Sequence, residues 1–191
     1  MSHQNILLTD RLLSKTFLRL IPYKITPNQI TAFRFVMVPF IFFLLIYGNY
    51  LWGGILFVIA ALSDALDGAR ARTSDRITNW GKLYDPLADK LLIGAAASIL
   101  VVRFISLYLA LAMITIELFL ITTAYYKRSH FHREIQANSV GKTKMIFQSV
   151  GIIILFIHAV YSIPVLLAWT GAILALSVLF AALSLFMYRS I

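Results

Sequence analysis

The chain has 191 residues, 60% of them hydrophobic and only 13% charged, and its mean hydropathy is +0.84. These proportions exclude an ordinary water-soluble domain and indicate an integral membrane protein. The formal net charge of +9 would suggest nucleic acid for a soluble protein, but no soluble domain is present to hold it. The surplus suits cytoplasmic loops and anionic headgroups, and no nucleic acid is expected as a partner.

Cysteine is absent, so disulfide and thiolate chemistry are excluded. The first residues, MSHQNILLTDRLLSK, lack an apolar run followed by a small-residue cleavage site. No removable signal peptide is expected, and the first span is expected to direct insertion. Residues 8–21 place Leu8, Leu12, Leu13, Phe17, Leu20 and Ile21 at helical spacing, with Arg11, Lys15 and Arg19 on another face. This predicts an amphipathic helix lying in the membrane interface, so that residues 1–28 form an interfacial helix and link, and 29–191 a transmembrane domain.

Pro22 and Pro27 bracket an extended link, and Thr26-Pro27-Asn28 reads as a helix start. A first span over 29–48 contains Arg34, with Pro39 as a potential kink. Arg34 could snorkel to the interface, but the reading favoured here turns it toward an acidic or phosphate centre. A turn at Tyr47-Gly48-Asn49-Tyr50 leads to a second span over 51–71, and a third covers 82–102. A fourth, over 104–126, carries Glu117 near its middle; a carboxylate at that depth is either functional or paired with a cation such as Arg34.

Residues 127–144 read as a polar, basic connection, followed by spans over 145–162 and 164–187. Within it His130 and His132 are two residues apart and do not share a helix face, so a solvated loop is a better reading than a metal site. His158 reads as a packing residue or one near the outer interface. The expected fold is therefore all-α, with six transmembrane helices behind the amphipathic one. In that arrangement every Lys and Arg except Arg103 falls on or near one side, which the positive-inside rule makes cytoplasmic.

The chemistry concentrates between Ser63 and Lys90, where Asp64, Asp67, Asp85 and Asp89 account for half of the chain's acidic residues. On helices, Asp64 and Asp67 are at i and i+3, and Asp85 and Asp89 at i and i+4, so each pair shares a face. Four carboxylates beside hydrocarbon would repel one another unless neutralised, and their charge balances two divalent metal ions. Gly68 and Gly81 permit close approach, while Arg70, Arg72, Arg76 and Lys82 suit phosphate. The combination points to a metal-bound diphosphate as ligand.

Asp64, Asp67, Gly68, Ala71, Arg72, Gly81, Asp85 and Asp89 match, position for position, the D-x-x-D-G-x-x-A-R-x8-G-x3-D-x3-D signature of the CDP-alcohol phosphotransferase family. The stretch from Pro27 to Thr31 with Arg34 resembles the family's first-helix motif. Asp85 to Lys90 and Gly141-Lys142-Thr143-Lys144 are similar to its phosphatidylglycerophosphate synthase branch. Ile116 stands before Glu117 where that branch usually carries Arg, and Met145 follows Lys144 where Thr is common.

The resemblance implies a six-helix fold, commonly a homodimer, in a bacterial inner membrane, with a cavity open to cytoplasm and bilayer. It implies Mg2+ or Mn2+ on Asp64, Asp67, Asp85 and Asp89, with Asp89 also the general base. The CDP group would lie along Asn28, Thr31, Gly68, Ala71, Arg72 and Gly81. The implied reaction transfers a phosphatidyl group from CDP-diacylglycerol to glycerol 3-phosphate and releases CMP. Lys142, Lys144, Arg128 and Arg133 are the candidates for the acceptor phosphate.

Phosphatidylglycerol, as in cardiolipin synthases, or an inositol phosphate would be an alternative acceptor. An intramembrane prenyltransferase would lack the D-G-x-x-A-R element. A cation channel or transporter is disfavoured because Arg70 and Arg72 would repel the ion.

Overall fold

The computed structural model describes residues 27–74, 79–131 and 139–189, with side chains described except at 27, 64–74, 79–83, 85–86, 124–131, 139 and 186–189. The expected amphipathic helix over 8–21 lies outside the described residues. Those residues form six α-helices: α1 Pro27–Ile46, α2 Tyr50–Ser74, α3 Asn79–Phe104, α4 Leu107–Phe131, α5 Ser139–Tyr161 and α6 Val165–Arg189. Among them there is no strand.

The helices outrun the apolar stretches that reveal them. The basic connection expected over 127–144 is largely helical: α4 continues to Phe131 and α5 already begins at Ser139. Hydropathy records where hydrocarbon would be, whereas a helix can continue into the polar headgroup zone while its backbone bonds persist. Pro39 lies within α1, which is not ended by it. Its missing N–H leaves one carbonyl without its helical donor, a cost neighbouring helices can absorb.

The α1–α2 turn is closed by Gly48, whose φ of +74° lies in the left-handed region. Its N–H reaches the Leu45 carbonyl at 3.1 Å, and the Asn49 N–H reaches the Leu44 carbonyl at 2.8 Å, the paired bonds of a Schellman cap. At the end of α5, Ser162 takes the same left-handed conformation at φ 55°, its N–H bonded to the His158 carbonyl at 2.7 Å.

α3 is the axis of the bundle and touches α1, α2, α4 and α5. Its inner faces carry Ala88, Leu92, Ile93, Ala96, Ala97, Leu100 and Val101, all buried. The alanines let neighbouring backbones come close, the device membrane helices use where no water drives association. Ile41 and Leu45 of α1, Phe57 of α2, Met113 of α4, Ile152 and Leu155 of α5 and Leu174 of α6 complete the core. Phe57 and Phe156 pack with ring centroids 5.3 Å apart.

Polarity is inverted relative to a water-soluble protein. Phe40, Phe43, Leu118 and Leu179 are exposed, whereas Arg34, Thr31, Lys144 and Gln148 are buried. Three stretches, Asn28–Ile46, Val140–Tyr161 and Val165–Leu185, are long and apolar enough to cross a membrane. Hydroxyls bond back to their own helices, as Thr170 does to the Leu166 carbonyl and Ser177 to that of Leu174, both at 2.7 Å.

Away from the aspartates, His158 donates from Nδ1 to the Ile163 carbonyl at 2.8 Å and packs edge-on to Phe104, the structural role expected of it. Tyr50 packs on Phe104 and lies under the Arg103 guanidinium.

The α5–α6 contact depends on Gly151, where an added Cβ would meet Leu174 Cδ2 at 2.6 Å; at Gly171 the nearest atom would be 4.0 Å away. Gly151→Val is expected to cost about 1–3 kcal/mol through overpacking, and Gly171→Ala to be neutral or stabilising. Thermal unfolding of the two variants in detergent checks the difference.

Candidate active site

Alternation of helix direction brings one set of helix ends together. α1, α3 and α5 start at the end of the bundle where α2 finishes, so Asn28, Thr31 and Arg34 gather there with the backbone positions of Asp64 and Asp67 and with the early turns of α3. The side chains of Asp64, Asp67, Gly68, Ala71, Arg72, Gly81 and Asp85 lie outside those described, although their helical backbone is described. Arg128 is on α4 with an undescribed side chain, and Arg133 lies outside the described residues.

Asp89 is described, and its partner is Arg34. The Arg34 Nη1 donates to Asp89 Oδ1, with the Arg34 side chain fully buried and that of Asp89 16% exposed. A guanidinium that deep cannot snorkel to water and requires an anion. The pairing ties α1 to α3, with Phe35 and Tyr84 packed edge-on beside it at 6.2 Å. Arg34 thus turns inward to Asp89 instead of snorkelling to the interface. The contact fixes the orientation of the Asp89 carboxylate.

Glu117 has a different partner from the Arg34 considered as its rival explanation. Lys144 Nζ donates to Glu117 Oε1, joining α5 to α4. Both residues are buried. The pair of lysines expected to act together is therefore split: Lys144 faces inward and is engaged with Glu117, while Lys142, two residues earlier, is exposed. A two-residue step turns a helix by about 200°, so the two cannot share a face.

Sequence reading passed over Gln148, which is 2% exposed. A signal was present. Lys144 and Gln148 are spaced four apart and continue as Ile152 and Leu155, so the inward stripe of α5 is polar at one end and apolar at the other.

Among the described residues, no group of three or more His, Cys, Asp or Glu side chains gathers to hold a metal. The donor set spelled out by the sequence is all oxygen and divided between two helix ends, which suits hard divalent cations rather than zinc or copper.

The family model described as CDP-alcohol phosphatidyltransferase matches residues 24–183. A Bacillus subtilis protein named CDP-diacylglycerol--glycerol-3-phosphate 3-phosphatidyltransferase is 32% identical over 148 residues, covering 69% of this chain and 76% of its own. A Mycoplasma pneumoniae protein of the same name is 32% identical over 149 residues, 66% of this chain and 65% of its own. One from Rickettsia typhi is 40% identical over 77 residues, 39% of this chain and 43% of its own.

The buried Lys144–Glu117 pair gives a stability prediction. Glu117→Leu or Lys144→Met alone strands a charge and is expected to cost about 3–5 kcal/mol, whereas the double replacement should recover most of that loss. A double-mutant cycle on unfolding in detergent measures the coupling.

Proposed function

The chain belongs to the CDP-alcohol phosphatidyltransferase family, and from that premise we propose that it transfers the phosphatidyl group of CDP-diacylglycerol to glycerol 3-phosphate. The reading is carried by the complete eight-position signature, which lies on α2 and α3 and ends at the Asp89 that pairs with Arg34. The acceptor is supported by relatives that bear the glycerol-3-phosphate name.

In this reading six helices span the bilayer, α2, α3 and α4 joining the three long apolar stretches. The site faces the cytoplasm of a bacterial inner membrane, which the distribution of Lys and Arg supports. The functional unit is a homodimer.

Asp64, Asp67, Asp85 and Asp89 would hold two divalent ions, Mg2+ or Mn2+. When bound, these would neutralise the diphosphate and stabilise CMP as it leaves. Asp89, oriented by Arg34, accepts the proton of the attacking acceptor hydroxyl. That oxygen forms a bond to the phosphorus bearing diacylglycerol, and the bond from the same phosphorus to the bridging oxygen breaks, so that oxygen departs with CMP. Asn28, Thr31, Gly68, Ala71, Arg72 and Gly81 line the cytidine diphosphate.

Lys142, Arg128 and Arg133 remain the candidates for the acceptor phosphate, with Lys144 contributing through its buried ammonium. Lys142 is the cleaner test, because replacing Lys144 also strands Glu117. Lys142→Ala is expected to raise KM for glycerol 3-phosphate about tenfold, the loss of one charge-assisted contact, while KM for CDP-diacylglycerol stays unchanged.

The deciding assay is CMP release in detergent with glycerol 3-phosphate, phosphatidylglycerol or an inositol phosphate as acceptor. Glycerol 3-phosphate should be preferred, and Asp89→Asn should lower kcat by about 10²–10⁴. Chelation should abolish release and Mg2+ or Mn2+ restore it. Preference for another acceptor would overturn the substrate assignment, and full activity in Asp89→Asn would overturn the role of the base.

A further inference from the structure

Between α1, α3 and α4, and bounded at one end by α5, lies a cavity of about 440 Å3. It follows α3 from Lys90 to Ser98, about 12 Å of helix. Its walls are almost wholly apolar, including Pro39, Phe42, Met113, Leu118 and Ile121. Pro39, Leu91 and Leu118 on its rim are exposed, so the cavity opens toward the lipid-facing surface. The volume lies within the range of small-molecule sites.

One end of this apolar cleft is polar, formed by Lys90, Glu117 and Gln148. Glu117 Oε2 and Gln148 Oε1 are buried and accept no hydrogen bond, although Gln148 is 2% and Glu117 9% exposed. Orphaned acceptors in a low-dielectric interior are unfavourable unless a donor arrives. Lys90 lies within Coulombic reach of both Glu117 and Lys144. Counted formally, two lysines stand against one glutamate in this group.

We propose that this cavity is a binding site for a phospholipid with one negative charge and a hydroxyl-bearing headgroup. The phosphodiester faces Lys90, its headgroup hydroxyls donate to Glu117 Oε2 and Gln148 Oε1, and part of an acyl chain follows the apolar walls. The apolar walls distinguish this occupant from the acceptor proposed above, because a water-soluble phosphomonoester has no acyl chain to lie along them.

A lipid of this kind results when the terminal phosphate is hydrolysed from the proposed product. The link to product rests on the preceding functional reading, whereas the headgroup chemistry does not.

Gly94 provides a direct test. It lines the cavity, and a Cβ added there would meet nothing within 4 Å, so larger residues can grow into the space without displacing backbone. Purified, delipidated protein would be titrated with dioleoyl-phosphatidylglycerol, dioleoyl-phosphatidylmethanol or dioleoyl-phosphatidylcholine, and retained lipid counted by native mass spectrometry.

Phosphatidylglycerol should be retained about tenfold better than phosphatidylcholine, with phosphatidylmethanol between them because it has the charge without the hydroxyls. Gly94→Phe should erase the preference and Gly94→Ala preserve it. Gln148→Leu should bring phosphatidylglycerol down to the level of phosphatidylmethanol.

Equal retention of phosphatidylglycerol and phosphatidylcholine, or a preference indifferent to both Gly94→Phe and Gln148→Leu, would overturn the proposal. So would loss of CMP release in Gly94→Phe at saturating substrates, which would make the cavity part of the reaction path. Binding is read without CDP-diacylglycerol, so failure of the proposed catalytic activity leaves this test intact.

Discussion

Charge placed among hydrocarbon side chains has to be matched locally, and this condition governs the bundle. Arg34 meets Asp89, and Lys144 meets Glu117, each across two helices and each largely shielded from solvent. Buried pairs of this kind are weak sources of net stability, since desolvation offsets much of their attraction. Their value here is positional. α1 cannot slide along α3, nor α5 along α4, without leaving a charge uncompensated in the interior.

That positional constraint explains why the polar side chains share one region. The apolar half of each helix can pack in more than one register, because alkyl contacts are non-directional. An ion pair has direction and a short range. With Ala96 and Ala97 keeping α3 close to its neighbours and Ile152, Leu155 and Leu174 filling the remainder, the carboxylate of Asp89 is held against a rigid background. Such a background lets a carboxylate serve chemistry rather than follow its solvent.

Much of this was legible in the sequence. The four aspartates announce themselves because helical spacing turns them into two same-face pairs, and the all-helical architecture follows from long apolar windows. Arg34 was readable because an arginine inside a span must find an anion. The Lys144–Glu117 pair was not: the residues are 27 apart on consecutive helices, and no periodicity says which residue of one helix meets which of the other. Helix ends were also misjudged over 127–144, since charged residues end an apolar stretch without ending a helix. Nor does the sequence say that Lys142 and Lys144, two residues apart, lie on different faces of α5, one exposed and the other engaged with Glu117.

Asp89 and Lys90 are consecutive on α3, so their side chains leave the helix axis about 100° apart. One is bonded toward α1 and the other lines the space toward α4 and α5. α3 thus presents an ion pair on one flank and an apolar cavity on the other. A twist of this one helix about its own axis swings both residues in the same sense, as a key turns every tooth at once. The ion pair and the cavity share one helix, so a rotation of α3 would displace both residues together.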